Sequence, residues 1–234
     1  MSSVVVSVVS RKGGSGKTST SILYGSEVLD LGLKVAIIDA NPLEASLTVS
    51  VKEGEGRILR QVVHEAESIN RLIELVDAYR NLVDVVIIDT PPAGDNISEL
   101  SMKAIELANA VVLPMGADLD EFRSQDEFYE FLQMRKLING KKIFIQPNRV
   151  ETNSSIWKRV SKEMSAEGVF VGASILPFMS MCVTFKEAKA LGLALLEFPN
   201  RSRATKRLSE QSQEAVVEVI KSVNESLAKE IEQV

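Results

Sequence analysis

Short apolar runs alternate with longer segments of helical periodicity along this chain. The runs are rich in valine and isoleucine, and several are apolar throughout, which is typical of parallel strands buried on both faces of a sheet. The pattern predicts strands at 3–9, 34–39, 84–89, 110–114, 142–146 and 169–175. Helical periodicity predicts helices at about 17–31, 68–80, 96–108, 119–138, 153–166, 184–191 and 203–232.

This alternation predicts an α/β fold, a doubly wound and mostly parallel sheet flanked by helices. Folds of this class bind ligands outside the carboxyl ends of their strands, so the functional residues are expected in the loops that follow strands. The 234 residues are enough for one sizeable domain and too few for two ordinary ones. We therefore expect a single domain over residues 1–234.

Composition narrows the classes of partner and compartment. The chain carries 27 Lys and Arg residues against 32 Asp and Glu residues, a formal net charge of −5, so any contact with nucleic acid requires a local basic patch. The single cysteine, Cys182, excludes an internal disulfide and suits a reducing compartment. No apolar run approaches the roughly 18 residues of a membrane-spanning helix. We expect a cytoplasmic protein with no membrane segment.

A glycine-rich loop follows the first predicted strand and precedes the first predicted helix. Its glycines let backbone amides approach phosphate oxygens closely, and the helix start adds unpaired N–H groups. In such a loop Lys17 reaches the β- and γ-phosphates, and the hydroxyl of Thr18 binds Mg²⁺. The sequence therefore predicts a site for ATP and Mg²⁺ whose nucleotide-binding residues are Lys12, Gly13, Gly14, Ser15, Gly16, Lys17, Thr18 and Ser19.

The loop departs from the common phosphate-binding pattern, which has its first glycine at position 11. This chain has Arg11 there, followed by Lys12. The run 12–18 resembles the deviant Walker A motif of the ParA/MinD family of P-loop ATPases, written Lys-Gly-Gly-x-x-x-Lys-Thr. The resemblance implies that Lys12 reaches the nucleotide of a second protomer, so that ATP joins two copies face to face. A solvated loop lysine is the alternative interpretation of Lys12.

Two more predicted strands end in an acid, Asp39 and Asp89. Acids at the carboxyl ends of parallel strands point into the ligand crevice, so we predict Thr18, Asp39 and Asp89 as the metal site. A carboxylate that caps the next helix is the alternative for either acid alone. The resemblance covers both strands, and it implies catalytic roles for Lys12, Lys17, Asp39 and Asn41.

Asn41 stands where the family has the acid that orients and activates the attacking water. An amide holds water but takes up no proton, and loss of a general base typically slows a reaction roughly 10²–10⁴-fold. Phosphoryl transfer depends more on positioning and on charge stabilisation than on proton removal, which reduces the penalty. We therefore hypothesise tight ATP binding with slow turnover.

The resemblance continues through the C-terminal half of the chain. Asn148 follows the strand at 142–146 and occupies the family's adenine-contacting position, although a plain turn asparagine fits the same place. The resemblance also suggests that Pro177 and Phe178 help to enclose the base. Many ParA proteins carry an arginine near the position of Cys182, and its absence here weakens the transfer of DNA contacts to that stretch.

A basic cluster follows, with four cations and no acid between Pro199 and Leu208. Clustered cations on an acidic chain indicate a sequence-independent phosphate-binding patch, and ParA proteins bind DNA through this region as dimers. A solvated helix start is the alternative. The acidic tail argues against adsorption to anionic lipid. The predicted DNA-binding residues are Arg201, Arg203, Lys206 and Arg207.

These features together predict a ParA-type ATPase that forms an ATP-dependent homodimer, binds DNA non-specifically and positions plasmid or chromosomal DNA. The resemblance implies a ParB-like or other cargo adaptor as partner and a location on the nucleoid. One alternative is an ATP-switched positioning factor for a conjugative transfer complex. Another is a nucleotide-dependent protein scaffold that does not hydrolyse ATP.

Overall fold

The computed structural model of the chain describes residues 3–41, 47, 51, 56–94, 97–194, 197 and 203–225. Within these residues, seven parallel strands form one sheet in the order β3-β2-β4-β1-β5-β6-β7. The strands are β1 (Val4–Val8), β2 (Val35–Asp39), β3 (Val63–Glu65), β4 (Val85–Asp89), β5 (Ala110–Gly116), β6 (Lys142–Asn148) and β7 (Ser174–Ile175).

Helices cover both faces of this sheet and connect its strands. They are α1 (Lys17–Asp30), α2 (Ile58–Val62), α3 (Ile69–Tyr79), α4 (Glu99–Leu107), α5 (Leu119–Met134), α6 (Ser155–Met164), α7 (Val183–Ala190) and α8 (Arg203–Val223). The predicted doubly wound α/β class is confirmed, because every strand pair is parallel and a helix lies between each strand and the next along the chain.

The central strands explain why the sheet forms from this sequence. All five residues of β1, of β2 and of β4 are buried, as expected of strands covered on both faces. Strand β1 lies in the middle of the sheet. Strands β4, β2 and β3 lie on one side of it, and β5, β6 and β7 lie on the other side. This switch point opens a crevice at the carboxyl end of β1, which is where the glycine-rich loop begins.

The largest differences from the sequence-based boundaries occur at two places. The strand predicted over 169–175 is reduced to Ser174–Ile175, because the chain turns through positive φ at Phe170 (46°) and Gly172 (87°). The edge strand Val63–Glu65 and the helix Ile58–Val62 before it were not predicted. Three half-buried residues at a sheet edge leave no apolar run that periodicity could detect.

The C-terminal helix α8 packs along α1, the helix that follows the phosphate loop. Val216, Val219 and Ile220 on this helix are fully buried in the same core cluster as α1, so this face of the helix packs inward. A buried polar contact joins the helices, since Ser209 and Ser212 donate hydrogen bonds to Glu27 Oε1 at 2.9 and 3.1 Å. Positions 226–232 of the helix predicted over 203–232 lie outside the described residues.

Across the described ranges, no helix is both long enough and apolar enough to span a bilayer.

Candidate nucleotide site

The glycine-rich loop turns back at the carboxyl end of β1 and leads directly into α1. Gly14 and Gly16 adopt φ of 80° and 101°, a left-handed conformation that side chains disfavour. Gly16 is the N-cap of α1 and has no side chain to cap the helix, so the first amides of α1 remain free for an anion. The predicted position of a phosphate cradle therefore coincides with a loop of the required conformation.

Lys17 points into this loop and is almost fully buried. Its Nζ donates hydrogen bonds to Ser10 Oγ at 3.1 Å and to the Lys12 carbonyl oxygen at 3.3 Å. Burial lowers the pKa of Lys17, while the nearby charge of Asp89 acts in the opposite direction. An ammonium group held in this way is poised for a phosphate group, which would replace its two neutral acceptors with anionic oxygens.

The two predicted metal-binding acids lie side by side. Asp39 and Asp89 are paired in register on β2 and β4, and both are buried. Burial and the charge of Asp39 raise the pKa of Asp89 to about 6, against hydrogen bonds from Thr18 and Ser21 that lower it. The Ser21 hydroxyl donates to Asp89 Oδ1 at 3.2 Å.

These groups fit a magnesium ion. Carboxylate and hydroxyl oxygens are the ligands that Mg²⁺ prefers, and the ion usually keeps several waters and takes the rest of its shell from phosphate. The neighbouring acids Asp39 and Asp89, with the Thr18 hydroxyl bonded to Asp89, supply such oxygens. A bound cation would also compensate the buried negative charge that raises the pKa of Asp89. Among the described residues, no group of three or more His, Cys, Asp and Glu side chains forms a separate metal cluster.

Asn148 closes the loop from the opposite side, at the end of β6. Its Nδ2 donates to Thr20 Oγ1 at 3.0 Å and to the Ser15 carbonyl oxygen at 3.4 Å. Its Oδ1 is buried and, within the described part of the chain, has no hydrogen-bond partner. A buried amide oxygen costs free energy unless it accepts a hydrogen bond, so this atom is a candidate acceptor for a ligand, in line with the predicted adenine contact.

A cavity of about 330 Å³ joins these residues. Its lining includes residues of the phosphate loop and the first turn of α1, together with two asparagines: Gly13, Gly14, Gly16, Lys17, Thr18, Ser19, Asn41 and Asn148. Asn41 is fixed by its backbone N–H, which donates to Asp39 Oδ1 at 3.0 Å. Residues from the C-terminal region, among them Phe185, Lys189 and Leu208, line the same cavity.

Lys12 lies outside this cavity and is exposed. Its Nζ donates to the Asp120 carbonyl oxygen at 3.4 Å, at the first turn of α5. The neighbouring Arg11 forms a salt bridge with Glu127 at 2.8 Å. These residues line a second, open cavity on the surface of the chain. The two lysines of the loop therefore point in different directions, Lys17 inward and Lys12 outward.

The structure does not bring Pro177 and Phe178 to the nucleotide cavity. Both line a separate groove together with Trp157. The Phe178 ring packs edge-on against Trp157, with ring centroids 5.7 Å apart, and the guanidinium of Arg207 lies 5.9 Å from its centroid. The Pro177 carbonyl oxygen accepts a hydrogen bond from Gln146 Nε2. These interactions hold both residues beyond the end of β7, away from the phosphate loop.

Three of the predicted DNA-binding residues, Arg203, Lys206 and Arg207, are exposed on the first two turns of α8. The fourth, Arg201, lies outside the described residues. Between the cations, Thr205 and Leu208 are buried, and Leu208 lines the nucleotide cavity. One face of this helix start is therefore cationic while the other contacts the site.

Sequence reasoning missed two polar residues of the site. Ser21 was not predicted because the phosphate-loop motif ends three residues earlier, at Thr18. Its position four residues after Lys17 was an available signal, since it places Ser21 on the same face of α1. Lys189 carries no sequence signal, since it belongs to α7 and reaches the loop only through the fold. Its Nζ donates to Ser19 Oγ at 3.4 Å.

Comparisons with known proteins agree with this geometry. The CobQ/CobB/MinD/ParA nucleotide-binding domain matches residues 6–228 of the chain. The chain is 27% identical over 139 residues to the chromosome-partitioning ATPase Soj of Thermus thermophilus, covering 48% of this chain and 55% of that protein. It is 31% identical over 119 residues to protein ParA of Rhizobium radiobacter, covering 47% of this chain and 48% of that protein.

The chain thus matches about half the length of these two relatives. A solved structure shares the whole fold: the septum site-determining protein MinD of Pyrococcus horikoshii, complexed with Mg-ADP. The two structures superpose with a TM-score of 0.67 at 16% identity, over 95% of this chain and 98% of that one.

Proposed function

Because the chain belongs to the family of CobQ/CobB/MinD/ParA nucleotide-binding domains, we propose that it is a ParA-type ATPase that positions DNA. It binds Mg·ATP, closes into a homodimer around two nucleotides and, as a dimer, holds DNA non-specifically. An adaptor bound to the cargo, of the ParB-like kind, is its partner. The proposed setting is the cytoplasm, on the nucleoid, and the cargo is plasmid or chromosomal DNA.

The observation that carries this proposal is the opposite orientation of the two loop lysines. Lys17 is buried and faces the phosphate cradle, so it serves the nucleotide of its own chain. Lys12 is exposed and lies over the first turn of α5, outside that cradle. A loop lysine that its own chain keeps away from the cavity is available to the nucleotide of a second copy, in agreement with the deviant Walker A resemblance.

The DNA part of the proposal rests on the start of α8. Its exposed cations lie on the opposite side of the helix from Leu208, which lines the nucleotide cavity. Cations contact phosphate without reading sequence, and their position on this helix couples them to the state of the site. In a face-to-face dimer the two clusters would combine into a larger patch, which is how we propose that a chain of net charge −5 binds DNA.

A DNA-shift assay with ATP, with ADP and without nucleotide, repeated over a series of salt concentrations, tests this function. We expect binding with ATP alone, and an affinity that falls steeply as salt rises, because each phosphate contact releases counterions. The variant Arg203→Ala/Lys206→Ala/Arg207→Ala loses this binding and its salt dependence, while its ATP affinity stays within about twofold of the parent chain.

The matched control removes three exposed cations from another helix, as Lys158→Ala/Arg159→Ala/Lys162→Ala on α6. It should bind DNA like the parent chain, because these residues do not line the nucleotide cavity. ATP-dependent DNA binding that survives the α8 variant, or that the α6 variant loses equally, would contradict the proposed interface.

A second candidate function is favoured by Asn41 alone. The position of Asn41 on the cavity wall puts an amide where the family has the water-activating acid. The chain would then act as a nucleotide-dependent scaffold that recruits protein without useful hydrolysis. ATP-dependent dimerisation with neither DNA binding nor phosphate release would identify that function.

A further inference from the structure

Lys189, near the end of α7, places an ammonium group at the nucleotide cavity from outside the phosphate-loop motif. Its Nζ lies 3.4 Å from the Ser19 hydroxyl oxygen, and the residue lines the same cavity as Gly16 and Thr18. The half-buried side chain crosses from the C-terminal region to the first turn of α1. Its position is a product of the fold, since α7 and α1 are far apart in the sequence.

The surroundings of the Lys189 ammonium group suit a bound anion. An ammonium group has three hydrogen-bond donors. Within the described part of the chain, the Lys189 ammonium group makes one hydrogen bond, and that bond is long. Burial lowers the pKa of Lys189 despite the opposing effect of Asp89, which indicates incomplete compensation of its charge. A cation left in this way is stabilised by an anion that enters the cavity.

We propose that Lys189 is a nucleotide-binding residue that contacts the phosphates common to ATP and ADP. The placement follows from Ser19, which comes directly after Thr18, where the loop amides and the helix start cradle the α- and β-phosphates. Lys17 serves the opposite end of the cradle, beneath Ser10 and Lys12. The inference rests on the nucleotide binding that is part of the proposed function, and is independent of DNA binding and of dimerisation.

Such a contact has a consequence for the C-terminal region. Phe185 of α7 and Leu208 of α8 line the same cavity as Lys189. A phosphate group bound by both the loop and Lys189 would therefore hold α7 against α1. ATP and ADP share these phosphates, so either nucleotide would make this contact. Other residues would then distinguish ATP from ADP.

The alternative is that Lys189 is structural and merely offsets the buried charge of Asp89. The two roles differ in what Lys189→Met should do. A structural lysine stabilises the empty protein, so its loss lowers the melting temperature without nucleotide. A phosphate-binding lysine leaves that temperature unchanged or higher, and its loss reduces the shift produced by nucleotide instead.

The test uses the full chain in buffer with MgCl₂ and a fluorescent ADP analogue, displaced by ATP or by ADP. We expect Lys189→Met to weaken binding of both nucleotides by about tenfold, the range of a hydrogen bond to a charged group. Lys162→Met, which removes an exposed lysine of α6, is the matched control and should bind both like the parent chain. Melting curves without nucleotide accompany each variant.

Equal affinities of the parent chain and Lys189→Met would overturn the inference while leaving the proposed function intact. A loss confined to ATP would also overturn it, because the contact would then be with the γ-phosphate. A lower melting temperature without nucleotide, together with unchanged affinity, would assign Lys189 the structural role. If the parent chain bound neither nucleotide, the proposed function itself would fail.

Discussion

Asp39 and Asp89 stand next to each other at the carboxyl ends of two neighbouring parallel strands, paired in register and both buried. Two carboxylates in this arrangement repel each other, and burial adds a desolvation penalty to each charge. The structure places Thr18 and Ser21 against Asp89 as hydrogen-bond donors. This pair of buried charges therefore opposes folding unless a proton or a cation compensates it.

The first prediction is that Asp89→Asn stabilises the protein in EDTA without nucleotide. The pKa of Asp89 is raised to about 6 in the folded state, from 3.8. The folded state therefore binds more protons than the unfolded state between about pH 4 and pH 6, and stability falls as pH rises through that window. The variant should be more stable than the parent chain by on the order of 3 kcal/mol at pH 8 and by little at pH 4.

Urea unfolding of both proteins across this pH range measures the difference, and other titrating groups cancel in the comparison. Mg·ATP stabilises the parent chain more than ATP alone does, if the metal site is correct. In the Asp89→Asn variant we expect most of this difference to be lost. A difference in unfolding free energy that does not change with pH would show that Asp89 is not the titrating group.

The second prediction concerns the close approach of Gly16 and Asn148. A Cβ on Gly16 would lie 2.5 Å from Asn148 Nδ2, and φ at this glycine is 101°. Gly32 is the matched control, because its φ is also positive, at 75°, and a Cβ there would meet no atom within 4 Å. Gly32→Ala should cost about 1 kcal/mol from backbone strain, and Gly16→Ala about 1–3 kcal/mol more from overpacking.

A double-mutant cycle separates the two causes at Gly16. If the clash with Asn148 dominates, Asn148→Ala should recover part of the stability that Gly16→Ala loses. Additive effects of the two substitutions would place the whole cost in the backbone. Thermal or urea unfolding of the four proteins supplies the required free energies.

The third prediction is that Asn41→Asp increases steady-state ATP turnover. Asn41 lies on the cavity wall and is held by Asp39, and a carboxylate at this position can accept a proton that the amide cannot. We expect an increase of at least about tenfold, below the full value of a general base because phosphoryl transfer depends mainly on positioning and charge.

Phosphate release at saturating Mg·ATP measures this turnover. Asn41→Ala serves as the companion variant, because it removes the water-holding amide without adding a base. Equal rates for the parent chain and Asn41→Asp would sink the idea that this residue limits hydrolysis.

The fourth prediction separates the two lysines of the loop. Lys12→Ala should bind ATP with an affinity within about threefold of the parent chain yet remain a monomer, because Lys12 is exposed and lies outside its own nucleotide cavity. Lys17→Ala should lose ATP affinity by tenfold or more, the value of a buried hydrogen bond to charge. Light scattering after gel filtration with ATP, combined with nucleotide titration, measures both properties. An ATP-dependent dimer of Lys12→Ala would contradict the exchange of lysines between protomers.

The sequence by itself determined the fold class and the core of the candidate site. Strand, glycine-rich loop and helix follow one another directly, so the local order of residues 9–18 fixes the position of the cradle. The acids Asp39 and Asp89 each end an apolar run, and parallel strands bring their carboxyl ends to one edge of the sheet. Such features depend on near neighbours and on the direction of strands, both of which a sequence contains.

Only the tertiary structure decided which distant residues share the cavity. Lys189 reaches Ser19, whereas Phe178 packs against Trp157 in a separate groove. Phe178 and Lys189 lie only 11 positions apart in the sequence. Phe178, between β7 and α7, nevertheless lies away from the phosphate loop, whereas Lys189 on α7 lies against it. The edge strand β3 was missed for the same physical reason: three half-buried residues owe their conformation to pairing with β2 and carry no pattern of their own.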